Sequence, residues 1–305
     1  MNNVYNIISA KGGEMDKVVV KAKAKVNLSL DVTGIREDGY HEMKMINHSI
    51  NLEDTLTFET SPEGVLITSN NNQIPLDEKN LVIVALRKLQ KRLNIKHGVK
   101  IHIEKRIPSQ AGLAGGSSDA AAALKGLNIL WNLNLSTIDL LEIGATIGAD
   151  VPYCLIGGTA LVEGIGEKIT PLPAIKKMYV VVIKPNVNIS TPWAFDKLDQ
   201  REIKNHPDVL AVVQLLRAEN YAELKVVMGN VFEEVVFEQY PEINEIKKSL
   251  IRNGALAAIM TGSGSTVVGY YQEKKLAEMV WKVFNKKYSK CFFSEISENL
   301  GEMIC

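Results

Sequence analysis

Residues 108–124 read Pro-Ser-Gln-Ala-Gly-Leu-Ala-Gly-Gly-Ser-Ser-Asp-Ala-Ala-Ala-Ala-Leu. Immediately upstream, Val99, Ile101 and Ile103 alternate with Lys100, His102 and Glu104, the period of a half-buried strand. Downstream, an Ala-rich run places Leu124, Leu127 and Trp131 at helical spacing. Strand, glycine loop and helix in that order present unpaired backbone N–H groups and the positive end of a helix to an anion. Gly112, Gly115 and Gly116 lack the Cβ atoms that would hold a phosphate off the backbone, and Ser117 and Ser118 add hydroxyls at the helix mouth. The stretch from Pro108 and Ser109 through Gln110, Ala111, Gly112, Leu113, Ala114, Gly115, Gly116 and Ser117 to Ser118 therefore reads as a phosphate-binding loop. The competing reading is a Gly/Ser turn before an Ala-rich core helix. Neither the Walker Gly-Lys-Ser/Thr spacing nor the dinucleotide glycine spacing is present.

Length and composition narrow the class. A chain of 305 residues is long for one core, so two domains are expected. Thirty-five basic residues balance 35 acidic ones, leaving no excess to draw in nucleic acid or a membrane surface. No apolar run reaches bilayer length, and no basic-then-apolar leader opens the chain. Cys154, Cys291 and Cys305 are far apart and odd in number, which fits reduced thiols in a cytoplasm. The five histidines show no metal-ligand spacing, and the identity of any metal ligand stays unknown.

Outward from the loop, residues 1–14 lack a period and read as a tail, since Met15 could itself be a start. From Lys21 to Val32 apolar and polar residues alternate, with Lys25 and Asn27 on the polar face. Arg36-Glu37-Asp38-Gly39 signals a hairpin, followed at once by Tyr40-His41. Strands are expected near 45–52, 55–59 and 65–68, and a helix capped by Asn80 with Val82, Leu86, Leu89 and Leu93 inward. Ser136 and Asp139 form a capping box for a helix running to Ile147. Pro152 is expected to leave Val151 extended and Asp150 at a fixed element boundary. Thr191 and Pro192 open a helix with Thr191 as cap, and Phe195 lies one turn on. Residues 199–207 read as a charged loop, and helices fill Asp208–Asn253, with Gly254 as their stop. Strands at 255–260, 267–271 and 291–296 enclose a Gly/Ser turn, Thr261–Thr266, and a helix with Leu276, Val280, Val283 and Phe284 inward.

Five strings agree in order and spacing with one family. Pro108-x3-Gly112-Leu113-x-Gly115-Gly116-Ser117-Ser118 resembles the second motif of the GHMP kinase superfamily, and Thr261–Thr266 its third. Ala24-Lys25-Val26-Asn27-Leu28-Ser29-Leu30, Arg36-x-Asp38-Gly39-Tyr40-His41 and Gly148-Ala149-Asp150-Val151-Pro152 resemble the branch that acts on a cytidine-diphosphate-linked methylerythritol. The resemblance implies an α+β fold of two domains, a ribosomal-protein-S5-domain-2-like half (15–163) and a ferredoxin-like half (164–305), with the active site in the cleft between. It implies ATP and Mg²⁺, with γ-phosphoryl transfer to the 2-hydroxyl of the methylerythritol unit. Asp150 would be the base and Lys25 its charge partner. Asn27, Tyr40, His41, Thr191 and Phe195 would meet the substrate, Tyr40 and Phe195 sandwiching the cytosine and His41 reading its edge. Two other readings stay open, a relative acting on homoserine or mevalonate and a non-catalytic ligand-binding relative. A nucleobase handle has no use in the first, and both Lys25 and Asp150 are present against the second.

Overall fold

The computed structural model describes residues 5–11, 14–175 and 178–296, with side chains from Asp16 onward. The chain begins with β1 (Tyr5–Lys11), β2 (Glu14–Ile35), β3 (His41–Thr60), β4 (Val65–Ser69), α1 (Leu81–Leu93) and β5 (Val99–Glu104). Next come α2 (Gly115–Leu130), α3 (Thr137–Ala145), α4 (Val151–Ile156), β6 (Thr159–Gly164) and β7 (Lys168–Pro171). The second half runs β8 (Tyr179–Ile183), α5 (Thr191–Asp199), α6 (Val209–Arg217), a 3-10 turn, α7 (Leu224–Val227), α8 (Phe232–Gln239) and α9 (Pro241–Arg252). It ends with β9 (Ala257–Met260), β10 (Val267–Tyr271), α10 (Lys274–Asn285) and β11 (Cys291–Glu295).

Seven strands form the first sheet, in the order β1-β2-β3-β5-β4, with β6 on β3 and β7 on β6. One edge of the long β3 pairs with β2. The other serves β6 along Met43–His48 and β5 along Thr55–Thr60. The second sheet has the order β11-β8-β10-β9 with every neighbouring pair antiparallel. Helices fill the β8-to-β9 and β10-to-β11 connections, which is the split β-α-β arrangement of a ferredoxin-like half.

β2 threads all three apolar cores. Val18, Val20 and Ala22 pack with α1, α2 and β5. Ala24, Val26 and Leu28 pack, with Ile46 and Ile50 of β3, against Val180, Val182, Val268 and Tyr270 of the second sheet. Leu30 and Val32 join the helices of the second half, including Phe232 and Val236. Register shifts at Lys23/Lys25, Asn27/Ser29 and Val32/Gly34 let one strand change company along its length. Its polar face is consequently packed as well: Lys25, Asn27, Ser29 and Asp31 are all buried.

Local signals hold where a short-range hydrogen bond decides them. Asn80 Oδ1 accepts from Val82 N at 2.9 Å, and Ser136 and Asp139 form the reciprocal box that opens α3. Elsewhere tertiary structure decides. Residues 5–11, expected in a tail, pair antiparallel with β2. Glu163 pairs with Lys168 inside the β6–β7 hairpin, so the boundary expected at 163/164 falls within the first sheet. α3 ends at Ala145, two residues before Ile147, and Val151 is helical, because Pro152 sits in the first turn of α4, where a missing N–H costs nothing. Ser190 caps α5 in place of Thr191, accepting from Trp193 N. Val283 is exposed, and Ala277 takes the inward position with Val280 and Phe284.

Candidate active site

The loop between β5 and α2 is held open by left-handed backbone at Gln110, Gly112 and Ala114. Gly112 is required twice over: its φ is +69°, and a Cβ there would overlap the Thr261 carbonyl oxygen. Ala114 at the start of α2 supplies no capping side chain, and the first intrahelical bond runs from Ser118 N to Ala114 O. The amides of Gly115, Gly116 and Ser117 thus lack the intrahelical acceptors that later turns have. They open on a cavity of about 410 Å³ whose walls include Pro108–Ser117, Ile74, Pro75, Leu81 and Lys105. The whole predicted loop lines it except Ser118, which is buried and donates from Oγ to Lys23 O at 2.5 Å. That geometry suits an anion at the helix mouth with a flatter, less polar group toward Ile74 and Pro75.

Asn27 is 0 % exposed, and its carboxamide ties the Thr261–Gly262 turn to β2. Its Oδ1 accepts from Lys25 Nζ (3.2 Å), Thr261 Oγ1 (3.0 Å) and Gly262 N (2.8 Å), while Nδ2 donates to Asn47 Oδ1 (2.6 Å). Both ends of the amide are thus engaged within the protein. Asp150 has helical backbone ahead of α4 and makes no side-chain capping bond, so the cap role open to it from sequence is not used. The charges of Lys25 and Asp150 both act on the Cys154 thiol, in opposite directions. Burial, reinforced by the Asp150 charge, holds that thiol far above its ordinary range, with Lys25 and Ser118 acting against the shift.

Beneath the loop, Lys105 Nζ lies between Asp54 and Asp119, at 2.6 Å from Asp119 Oδ2, and all three side chains are buried. Asp54 Oδ1 also accepts from Arg106 N and Ile107 N, which pins the start of the loop. Two carboxyl groups share one ammonium, and Asp119 Oδ1 has no hydrogen-bond partner among the described residues. Burial pushes Asp119 up to about 8; Lys105 opposes that shift and the Asp54 charge adds to it.

The other expected contacts lie around α5, in an unexpected arrangement. Thr191, freed from capping, shares a hydrogen bond with Ser263 at 3.0 Å. The His41 ring stacks on Phe195 with centroids 4.2 Å apart, and Phe195 meets Phe232 edge-on. Tyr40 is 61 % exposed. It is His41 that covers the Phe195 ring.

Comparison with known proteins decides the family. The model of the GHMP kinases N terminal domain matches residues 80–158, and that of the GHMP kinases C terminal domain matches 212–290. A Clostridium tetani protein named 4-diphosphocytidyl-2-C-methyl-D-erythritol kinase is 45% identical over 276 residues, 90% of this chain and 99% of that protein. One of the same name from Caldicellulosiruptor bescii is 46% identical over 273 residues, 88% of this chain and 95% of that protein. A crystal structure of 4-(cytidine 5'-diphospho)-2C-methyl-D-erythritol kinase superposes with a TM-score of 0.79 at 30% identity, covering 90% of this chain and 98% of that one. The chain belongs to the GHMP kinase family. It is a small-molecule kinase.

Several residues of this kinase's cleft carried no signal in sequence. Asn47, the partner of Asn27, sits mid-strand, and Asp54, Lys105 and Asp119 are scattered along the chain. Asn230, which donates from Nδ2 to Met260 O and Gly262 O, braces the third glycine turn from behind. Among the described residues no cluster of three or more His, Cys, Asp or Glu side chains could hold a metal ion, and no helix is long and apolar enough to cross a membrane.

Proposed function

We propose that the kinase transfers the γ-phosphoryl group of ATP to the 2-hydroxyl of 4-(cytidine 5'-diphospho)-2-C-methyl-D-erythritol. The observation that carries this reading is the uncapped mouth of α2 opening on a glycine-lined cavity. The names of the relatives supply the acceptor.

The nucleotide phosphates lie on the amides of Gly115, Gly116 and Ser117, with the adenine toward Ile74, Pro75 and Leu81. Asp150 takes the proton of the tertiary 2-hydroxyl as that oxygen bonds to the γ-phosphorus. The β,γ-bridging bond breaks and ADP leaves with its electron pair. General-base help of this kind is worth roughly 10²–10⁴ in rate. Lys25, held by Asn27, neutralises charge on the transferring group. Mg²⁺, when carried in with ATP, supplies further neutralisation. Ser117 and Asp119, which line the cavity, and Asp150 would be the residues to hold it. The substrate extends from Asp150 past Thr191 and Ser263 toward Phe195, His41 and Tyr40. We place the enzyme in the cytoplasm, where the free thiols of Cys154 and Cys291 stay reduced.

ADP release by the purified kinase against the cytidine-diphosphate alcohol, homoserine and mevalonate tests the reading. Turnover confined to the cytidine compound is expected; turnover of homoserine or mevalonate in its place overturns it.

A further inference from the structure

Helix α5 grips one side chain at two points. Phe195 and Asp199 lie four residues apart, on one face of the helix, and both touch His41. Phe195 fixes the plane of the imidazole by stacking at 4.2 Å, with 28° between the rings. Asp199 fixes its rotation within that plane, with Oδ1 at 2.8 Å from His41 Nε2. A carboxylate only accepts, so Nε2 carries the proton of that bond. Nδ1 is the nitrogen left over, and in the neutral ring it bears a lone pair. The His41 side chain keeps 14% of its surface accessible.

Asp199 has little structural reason to be where it is. It is the last residue of α5, where the helix dipole disfavours an anion, and its side chain is 41% exposed. The contact to His41 is what the position provides.

We propose that Asp199 is a positioning residue for base selection. By holding Nε2–H, it presents Nδ1 as an acceptor to the amino group at position 4 of cytosine and sets it against the carbonyl that uracil has there. This deepens the cytidine reading above and rests on it. His41 touches the base; Asp199 acts through His41.

The test compares cytidine- and uridine-diphosphate methylerythritol as substrates for the wild type, Asp199→Ala and Asp199→Asn, reading kcat/KM on each base. The wild type should favour cytidine strongly. Asp199→Ala frees the ring to change tautomer, so the cytidine-to-uridine ratio should fall by about 10- to 100-fold, the worth of one base-reading contact, with the KM for ATP unchanged. Asp199→Asn can accept from Nε2–H or donate to bare Nε2, so its ratio should fall between the two. In the wild type, ¹⁵N spectra should show Nδ1 without a proton. Equal losses on both bases, an unaltered ratio, or a protonated Nδ1 overturn the proposal. A wild type that leaves the cytidine compound untouched defeats the functional reading instead, and the ¹⁵N result still decides the tautomer.

Discussion

The Lys25 ammonium stands 3.2 Å from the Asn27 carboxamide oxygen, two residues along the same buried strand face. That oxygen also serves Thr261 and Gly262 of the other half, so one amide holds both Lys25 and the third glycine turn. Asn27→Ala leaves Lys25, Gly262 N–H and Asn47 without their partner. At about 1–3 kcal/mol per orphaned buried group, a net loss of roughly 2–4 kcal/mol is expected in urea denaturation, together with a lower kcat. A direct substrate contact would behave differently, raising the substrate KM with stability intact.

Asp150→Asn separates chemistry from architecture. The carboxylate makes no capping bond, so the variant should fold with wild-type stability. An amide cannot take the hydroxyl proton, and kcat should fall by about 10²–10⁴ with ATP and substrate still bound. Lys25→Met should cost a similar amount, and the double variant less than the sum, since the two groups serve one step. A fully active Asp150→Asn enzyme would leave transfer to positioning alone.

The strand, glycine loop and helix around Pro108–Leu124 and the capping residues Asn80, Ser136 and Asp139 were legible in sequence because each rests on neighbours a few residues apart. The remainder depends on contacts that alternation cannot show. A strictly alternating reading of β2 hides the register shifts that carry it from one core to the next and bury Asn27. Asp54 and Lys105 meet across 51 residues of chain. Asp199 reads as the first residue of a charged loop until α5 brings it beneath His41. Nothing local to Phe195 shows that His41 would cover its ring.

Gly116 offers the cleanest test of the phosphate cradle. A Cβ on Gly115 would press on Ile107 Cγ2 at 3.0 Å, so a valine there confounds binding with folding. On Gly116 a Cβ meets only Leu81 Cδ1, at an ordinary 3.6 Å. Gly116→Val should therefore fold, yet project a branched side chain over the helix mouth. ATP affinity by calorimetry should drop by at least tenfold while the melting temperature stays within about 2 °C of wild type, the shift that under 1 kcal/mol produces. Unchanged affinity would move the phosphates elsewhere.

The buried Asp54–Lys105–Asp119 group predicts a pH dependence of stability with a definite sign. Burial and the Asp54 charge raise Asp119 to about 8 in the folded chain, against an ordinary value of 3.8. Between those values the folded state holds a proton that the unfolded state has released. The contribution of this group is therefore complete below about pH 4, declines as pH rises, and is gone by about pH 8, with a slope of at most ~1.4 kcal/mol per pH unit. Asp119→Asn removes the titration and keeps an oxygen for Lys105. Urea denaturation of both proteins from pH 5 to pH 8 should show the variant gaining on the wild type as pH rises. Parallel curves would mean that Asp119 is ionised throughout, its charge fully met by Lys105.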